Sequence, residues 1–338
     1  MMFHLQDQSD KKLDPFGNND SVGGLLSWTK ALTMGACTSS GLQTIQTTQR
    51  VPIVGDWMKE GDLGFIFATR GVGKTWLALD LAIGIAAGRD VGPWKVHATQ
   101  SVLYLDGEMP SGDIKERDRG LNGVVPTLTY ISHERLFDLT GRVMNLADPE
   151  LQEAILEMCK RDGFKVLFLD NLSALVSEVR ENEGGDWELL QQWLLHLRRH
   201  KITVVFVHHA GRNNQMRGHS KREDVAFWIL RLDRPSSVTP TMGTCFVSRF
   251  TKWRNARQEP VVYKWKYVPH GDRIQVSYEK ADNMDVLRQH LEDGLESATE
   301  IAEEMGVTKG YVSKLAKRAA NEGWLSISKG KYKLKDSY

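Results

Sequence analysis

The sequence predicts an α/β fold with a mostly parallel central sheet, followed by a small separate domain at the C-terminal end. Between residues 51 and 280, short apolar runs of strand length alternate with segments of helical periodicity, which is typical of βαβ units. After residue 284, apolar positions recur at helical spacing in three short segments and then alternate around Lys329 and Gly330. A length of 338 residues suits about two domains.

The strands of the parallel sheet are predicted from four apolar runs, at residues 63–68, 101–106, 165–170 and 202–208. Helical periodicity over 74–87 follows the first run. The fourth run is preceded by an amphipathic helix whose apolar face consists of Trp187, Leu190, Trp193, Leu194 and Leu197. This alternation of strand and helix predicts βαβ units.

The two ends of this core have different patterns. From residue 225 onward, consecutive strands are predicted at 225–232, 244–250, 261–267 and 273–278, and we expect them to extend the sheet in antiparallel fashion at one edge. Residues 1–50 are polar and rich in Gly, Ser, Thr, Gln and Asn, so we expect a flexible arm or an arm docked on a neighbour. The predicted domains are therefore 1–50, 51–280 and 284–338.

The overall composition is ordinary for a globular protein. Lys and Arg number 44 and Asp and Glu number 43, and the resulting net charge of +1, taken alone, argues against nucleic-acid binding. No apolar run approaches the roughly 18 residues of a membrane span, and no secretory signal is recognisable. Three scattered cysteines fit a reducing compartment, so we expect a cytoplasmic protein with no membrane partner.

Residues 68–75 (ATRGVGKT) form a Walker A sequence between a predicted strand and a predicted helix. Its glycines let the backbone turn N–H groups towards phosphate oxygens, and the helix start adds partial positive charge. Lys74 would bind the β- and γ-phosphates and act in catalysis, and the Thr75 hydroxyl would ligate Mg²⁺. Ala68 replaces the first glycine of the pattern, which is a small change. The loop predicts ATP binding through Thr69, Arg70, Gly71, Val72, Gly73, Lys74 and Thr75.

Polar side chains follow the other predicted parallel strands. Asp170 ends the run VLFLD and is the expected Walker B ligand of Mg²⁺. Glu108 follows YLDG and could deprotonate the attacking water, with Asp106 as its rival. His208, which with His209 ends the fourth strand, could sense the γ-phosphate. Because carboxyl ends of parallel strands share one edge, we expect one crevice; helix caps and surface histidines are the alternatives.

Together these motifs resemble the RecA-like ATPases of plasmids and mobile elements, and in particular the RepA-type hexameric replicative helicases. The motifs that carry the resemblance are GVGKT at 71–75, YLDGEMP at 104–110, FLDN at 168–171 and VHHAG at 207–211. The likeness covers about residues 50–280. It implies a RecA-like core that uses ATP with Mg²⁺, Glu108 as the catalytic glutamate, and a homo-oligomer in the form of a hexameric ring.

Related ring helicases carry a Lys-x-Arg-Asn finger that reaches the neighbouring subunit's ATP. Lys252-Trp253-Arg254-Asn255 is similar to it, which implies that Lys252 and Arg254 act in catalysis in trans; a solvated basic turn is the alternative. The Gly-rich loop 211–222 follows the histidines, and we expect its basic residues to hold single-stranded DNA: Arg212, Arg217, Lys221 and Arg222. The other expected channel loop, 173–185, is acidic.

Residues 284–338 predict a winged helix-turn-helix domain, with helices over 284–291, 298–305 and 308–321 and a hairpin wing over 326–335. Ser297 is the predicted N-cap of the second helix, with Glu300 at capping-box spacing. Residues 285–308 contain seven acids and one base, whereas residues 309–335 contain eight bases and one acid. We expect the basic half to contact duplex DNA, or alternatively an initiator protein, through Lys309, Lys314, Lys317, Arg318 and Lys331.

Two functional hypotheses follow from these observations. The first is an ATP-dependent ring-forming DNA helicase that acts in replication of a plasmid or mobile element and translocates on single-stranded DNA. The second is an ATP-controlled regulatory switch that oligomerises on duplex DNA without unwinding it. In both, the net charge of +1 is a sum over segregated acidic and basic regions.

Overall fold

The computed structural model describes residues 27–46, 49–176, 185–210, 224–235, 243–257, 260–305 and 307–335. The chain divides into two compact units, Met1–Gln49 and Arg50–Tyr338. In the first unit, α1 (Trp28–Gly35) and α2 (Ser39–Thr44) begin at the side-chain caps Ser27 and Thr38, and neither helix buries a residue. None of the helices in the described ranges is long and apolar enough to span a bilayer.

The described residues of the larger unit form eleven strands before the C-terminal helices: β1 (Pro52–Val54), β2 (Met58–Lys59), β3 (Leu63–Ala68), β4 (Val102–Asp106), β5 (Leu128–Ser132), β6 (Val166–Asp170), β7 (Thr203–His209), β8 (Trp228–Asp233), β9 (Thr244–Trp253), β10 (Tyr263–His270) and β11 (Arg273–Lys280). β1 and β2 pair with each other, and the other nine form one sheet in the order β11-β10-β9-β8-β3-β7-β6-β4-β5. In this order, each pair of neighbouring strands from β8 to β5 is parallel, and each pair from β11 to β8 is antiparallel. The predicted α/β fold with a mostly parallel sheet is confirmed.

Two details of the sheet differ from the sequence prediction. β8 is parallel to β3, with Gly64 opposite Trp228, and antiparallel to β9, so the expected antiparallel extension begins at the β8–β9 pair and not at the junction with β3. The contact requires glycine, because a Cβ atom on Gly64 would lie 2.0 Å from the Trp228 indole. β5 was not predicted, since this edge strand is mostly half-buried and lacks a continuous apolar run.

The helices of this unit cover both faces of the sheet: α3 (Lys74–Ala87), α4 (Ser111–Gly120), α5 (His133–Thr140), α6 (Pro149–Asp162), α7 (Leu172–Leu175) and α8 (Gly185–Arg199). α3 is buried along nearly its whole length, which explains why apolar residues occur all around it. Side chains alternate along each strand. On β7, for example, Val205 and Val207 join the apolar cluster of α3, whereas Val204 and Phe206 join the cluster of α6 and α8.

Three helices and a hairpin complete the chain: α9 (Asn283–Glu292), α10 (Ala298–Glu304), α11 (Lys309–Asn321), β12 (Leu325–Ser328) and β13 (Lys331–Leu334). They share an apolar cluster of their own. The predicted N-cap is confirmed, because the Glu300 amide donates to Ser297 Oγ at 3.2 Å. The predicted hairpin is confirmed as well: Lys329 and Gly330 both have positive φ, as a two-residue type I′ turn requires.

A group of charged side chains joins α9 to the sheet, and we call it the Arg231 cluster: Arg231, Asp233, Arg249, Glu292 and Asp293. The Arg231 guanidinium is buried, donates to Asp233 Oδ1 at 2.7 Å and to Asp293 Oδ1, and lies 3.5 Å from Glu292 Oε2. Arg249 donates to the other Asp293 oxygen at 2.6 Å. Strands β8 and β9 are thus linked to the end of α9 by ion pairs that lie largely out of water.

Candidate functional site

The Gly-rich loop connects β3, which ends at Ala68, with α3, which begins at Lys74. Gly73 has a φ of +119°, and a Cβ atom there would lie 2.8 Å from the Phe246 ring. Only glycine satisfies both conditions. The loop is also held from behind, because the Thr244 hydroxyl donates to the Val72 carbonyl at 3.1 Å.

The Lys74 ammonium is buried within this loop. It donates to the carbonyl oxygens of Ala68 and Thr69, at 3.1 and 2.9 Å. An ammonium has three N–H groups, so these two hydrogen bonds use two of them. Burial lowers the pKa of Lys74 to about 8, against the opposing effect of the Asp170 and Glu108 carboxylates. A buried ammonium held by neutral carbonyls is well suited to receive an anion such as a phosphate.

Asp170 lies at the end of β6 and is buried. The Tyr104 hydroxyl donates to its Oδ2 at 2.7 Å, and the Thr75 hydroxyl also hydrogen-bonds to it. Burial raises the pKa of Asp170, although these hydrogen bonds and Lys74 favour its charged form.

The oxygens of Thr75 and Asp170 are of the kind that Mg²⁺ prefers. Within the described ranges, no group of three His, Cys, Asp or Glu residues could hold a metal ion by itself. In nucleotide sites, Mg²⁺ is usually bound by one or two protein oxygens together with phosphate and water, and Thr75 and Asp170 could supply those oxygens.

Glu108 and Asp106 have different surroundings. Asp106 is buried, and its Oδ1 accepts from the amides of Glu108 and Met109 at 2.9 and 2.6 Å, so it shapes the turn. Burial, together with the Asp170 charge, raises the pKa of Asp106 to about 7. The Glu108 side chain is 62% exposed and accepts a hydrogen bond from Asn171 Nδ2. The geometry favours Glu108 over Asp106 as the group that meets water.

The histidine at this edge is His209. Its Nε2 lies 3.2 Å from Asn171 Nδ2 and 3.7 Å from Glu108 Oε2. Burial, followed by the Lys74 charge, lowers the pKa of His209. His208 is fully buried and does not line the cavity, because neighbouring residues of β7 point to opposite faces. The structure therefore puts His209 where the sequence analysis expected His208.

These side chains surround one cavity of about 550 Å³. The predicted residues that line it are Arg70, Gly71, Gly73, Lys74, Thr75, Glu108 and Asp170. Thr69 contributes its carbonyl to Lys74, and Val72 is buried behind the loop. The cavity wall also contains residues that the sequence analysis did not select: Trp76, Arg117, Asn171, His209, Gly243 and Thr244.

The sequence profile of the AAA domain family matches residues 31–215, which is more than half of the chain. The chain belongs to the AAA domain family. Membership implies nucleotide binding, usually with a divalent metal, and indicates ATPase activity.

Three solved structures match part of this chain. A KaiC-like protein from Pyrococcus horikoshii matches with a TM-score of 0.45 and 15% identity, over 68% of this chain and 99% of its own. The flagellar accessory protein FlaH from Methanocaldococcus jannaschii matches with a TM-score of 0.45 and 17% identity, over 66% and 91%. The RadB recombinase matches with a TM-score of 0.43 and 17% identity, over 66% and 92%.

The predicted finger lies at the other end of the AAA domain's sheet. The Arg254 amide donates to the Phe227 carbonyl, next to the start of β8, and its Nη2 donates to the Asp224 carbonyl at 3.0 Å. The length of β3, about 16 Å at 3.3 Å per residue, separates this end from the Gly-rich loop. Lys252 and Arg254 therefore do not reach the cavity of their own chain.

The predicted DNA contacts are only partly described. Arg212, Arg217, Lys221 and Arg222 lie outside the described residues. On α11 of this AAA-domain protein, Lys309, Lys314, Lys317 and Arg318 are all exposed, and the last three share the face opposite the buried apolar residues. Arg318 pairs with Glu322 at 2.9 Å, and Lys331 on the hairpin pairs with Glu296 at 2.9 Å.

Proposed function

We propose that this AAA-domain protein is a ring-forming DNA helicase that hydrolyses ATP and translocates on single-stranded DNA in replication of a plasmid or mobile element. One observation carries the proposal: Lys74, Asp170 and Glu108 converge on one cavity, whereas Arg254 lies beside Phe227, at the opposite end of β3, a strand about 16 Å long. A finger that cannot reach its own cavity would complete the site of a second copy. This arrangement supports an oligomer, which we propose to be a hexameric ring.

In the proposed reaction, the loop amides and Lys74 bind the phosphates of ATP, and Thr75 and Asp170 hold Mg²⁺. When bound, the metal stabilises negative charge on the phosphate oxygens. Glu108 accepts a proton from the attacking water, and Asn171 and His209 hold its carboxylate. Arg254 of the neighbouring copy stabilises the charge that develops on the transferred phosphoryl group.

The proposed link to DNA begins at His209. This residue is close to both Glu108 and Asn171, and the basic segment 211–222 follows it directly in the chain. A change at the γ-phosphate would act on His209, the last residue of β7, and would pass from there to the segment that follows it. We propose that the segment binds the backbone of single-stranded DNA.

We further propose that residues 284–338 are a winged helix-turn-helix domain that binds duplex DNA or an initiator protein. The supporting observations are three helices, a hairpin and the exposed basic face of α11. The same basic face favours a second candidate function, an ATP-controlled switch that oligomerises on duplex DNA without unwinding it. Strong stimulation of ATP hydrolysis by single-stranded DNA would favour the helicase over the switch.

A strand-displacement assay tests the motor function. Purified protein with ATP and Mg²⁺ should separate a forked duplex, the Lys74→Ala variant should not, and electron micrographs with single-stranded DNA should contain closed six-fold rings. A protein that hydrolyses ATP but never separates the strands would contradict the helicase function and leave the switch.

Mixing two inactive variants tests whether the finger acts in trans. Arg254→Ala should bind ATP without hydrolysing it, and so should Glu108→Gln. Mixed assemblies should regain part of the hydrolysis, because some interfaces then combine an intact Glu108 with an intact Arg254. A lack of recovery at every mixing ratio would count against an action between subunits.

A further inference from the structure

Asn255, the residue that follows Arg254 in the predicted finger, uses every polar group of its side chain within the chain. Its Nδ2 donates to Asp62 Oδ2 at 2.5 Å and to the Trp57 carbonyl at 2.9 Å. Its Oδ1 accepts from Arg50 Nη2 at 2.7 Å. A side-chain amide has two N–H groups and one carbonyl, so all of them are engaged. These contacts join the end of β9 to the turn between β1 and β2 and to the start of β3.

The centre of these contacts is Asp62, whose carboxylate is fully buried. Besides Asn255, it accepts hydrogen bonds from the Lys59 amide at 2.7 Å and from the Arg50 guanidinium. Burial raises the pKa of Asp62, and these three donors oppose that rise. A buried carboxylate is costly unless donors surround it. Because its donors come from three separate parts of the chain, the carboxylate fixes these parts relative to one another.

The main chain of Arg254 is held from its other side by Phe227. The Phe227 amide donates to the Leu63 carbonyl at 2.8 Å, and the Phe227 carbonyl accepts from the Arg254 amide at 2.8 Å. The Arg50 guanidinium carbon lies 4.6 Å from the centroid of the Phe227 ring, which is a cation–π contact. The main chain at Arg254 is therefore fixed by Phe227 and Asn255, whereas Arg254 itself is exposed.

We propose that Asp62 and Asn255 are positioning residues for the finger: they fix the main chain from which the Arg254 side chain extends to the ATP of a neighbouring copy. This inference rests on the proposed function and adds the residues that set the direction of the finger. A displacement of about 1 Å at a reacting centre can cost roughly 10²-fold in rate. Neither Asp62 nor Asn255 lines the nucleotide cavity, so they act on hydrolysis and not on nucleotide binding.

The first test separates hydrolysis from binding in the full chain. Asn255→Ala removes the amide, and Asp62→Asn removes the charge at nearly the same volume. Each should lower kcat for ATP about 10- to 100-fold and change the affinity for a non-hydrolysable ATP analogue, measured by calorimetric titration, less than about twofold. The matched control is Glu60→Gln, which neutralises a carboxylate of the same turn that pairs with Lys201 at 3.6 Å. It should change neither property.

Mixing experiments show on which side of the subunit interface Asn255 acts. Asn255→Ala mixed with Glu108→Gln should regain hydrolysis, because some interfaces then combine an intact Glu108 with an intact finger. Asn255→Ala mixed with Arg254→Ala should gain nothing, because both substitutions damage the same side of the interface. A general loss of stability would not produce this pattern of recovery.

A double substitution tests whether Asn255 acts through the finger. In chains that already carry Arg254→Ala, adding Asn255→Ala or Asp62→Asn should change the remaining hydrolysis less than about twofold, because no finger is left to position. A further tenfold loss would overturn the proposal. If Asp62→Asn does not fold, Asn255→Ala decides, since it keeps the ion pair between Asp62 and Arg50.

Three other outcomes would overturn the positioning role. These are a normal kcat in Asn255→Ala, a loss of nucleotide affinity as large as the loss of kcat, and no recovery with Glu108→Gln under conditions where Arg254→Ala recovers. Normal hydrolysis by Arg254→Ala alone would instead overturn the finger of the proposed function. That result is distinguishable because it appears with Asp62 and Asn255 unchanged.

Discussion

The nucleotide cavity and the Arg231 cluster both bury charged side chains at the ends of sheet strands, but they do so in opposite ways. In the Arg231 cluster, the guanidinium forms ion pairs with three carboxylates, from β8 and from the end of α9, all within the chain. In the cavity, the Lys74 ammonium is held by neutral carbonyls, and Glu108 extends towards solvent. Buried charge alone therefore does not mark a functional site. What distinguishes the cavity is that its buried ammonium is held by neutral carbonyls, whereas the buried guanidinium of the cluster is held by carboxylates.

The pKa values reflect this difference. In the cavity, burial lowers the pKa of Lys74 to about 8 and raises the pKa of Asp106 to about 7, so both groups are destabilised in their charged forms. In the cluster, burial would lower the pKa of Arg231, yet the charges of Asp233 and Asp293 raise it overall. Its charged form is thus stabilised by the chain itself. The charged form of Lys74 is thus open to stabilisation by a ligand, whereas that of Arg231 is stabilised by carboxylates of the chain.

The largest effect on activity is expected from Glu108→Gln in the nucleotide cavity. Removing the carboxylate that we propose takes the proton from water should lower the rate of ATP hydrolysis by roughly 10²- to 10⁴-fold, while nucleotide binding is retained. Phosphate release and nucleotide titration measure the two properties separately. Glu116→Gln, an exposed acid of α4, is the control. Hydrolysis at the normal rate in Glu108→Gln would remove Glu108 from the reaction.

In the Arg231 cluster, Arg231→Ala should lower the free energy of unfolding by about 3–5 kcal/mol, because it leaves buried carboxylates without their partner. Denaturant titration measures this change. The same substitution does not alter the residues that would bind the phosphates, so nucleotide affinity measured at low temperature should be retained. A loss below about 1 kcal/mol would show that water compensates these carboxylates and that the cluster is not closed.

A smaller effect is expected from pH at the open site. Lys74 has a lowered pKa of about 8, and phosphate binding favours its charged form, so binding takes up a proton above that pH. ATP affinity should be constant below about pH 7.5 and should fall by up to about tenfold per pH unit above pH 8. Titrations from pH 7 to 9.5 measure this dependence. It should disappear in Lys74→Arg, since arginine stays charged over the whole range.

The smallest effect on stability is expected from Arg318→Ala, which removes an exposed ion pair with Glu322. The free energy of unfolding should change by less than about 0.5 kcal/mol, in contrast to the buried Arg231 pair. If α11 contacts duplex DNA, the slope of log affinity against log salt should fall by about one. Glu303→Gln, an exposed acid of α10, is the control for non-specific charge effects. An unchanged slope would exclude Arg318 as a phosphate contact.

The sequence by itself predicted the parts of this protein that can be recognised from residues close together in the chain. The loop from Thr69 to Thr75 is recognisable from its own glycines, lysine and threonine between a strand and a helix, and the predicted strands end where the structure places Asp106 and Asp170. The C-terminal helices were predictable for the same reason, because caps such as Ser297 and turns such as Lys329-Gly330 act over two to four residues.

Only the tertiary structure decided which side chains meet. Asn171 and Glu108 are 63 residues apart, Thr244 and Val72 are 172 apart, and no local pattern connects them. The choice between His208 and His209 depended on which face of β7 points to the cavity, and a strand buried on both faces has no alternation from which to predict it. The direction of β8 relative to β3 was likewise decided by the path of the chain between the strands, because the sequence of a strand does not encode whether its neighbour is parallel. Local propensities act over a few residues, whereas a site is made by packing, which brings distant residues together.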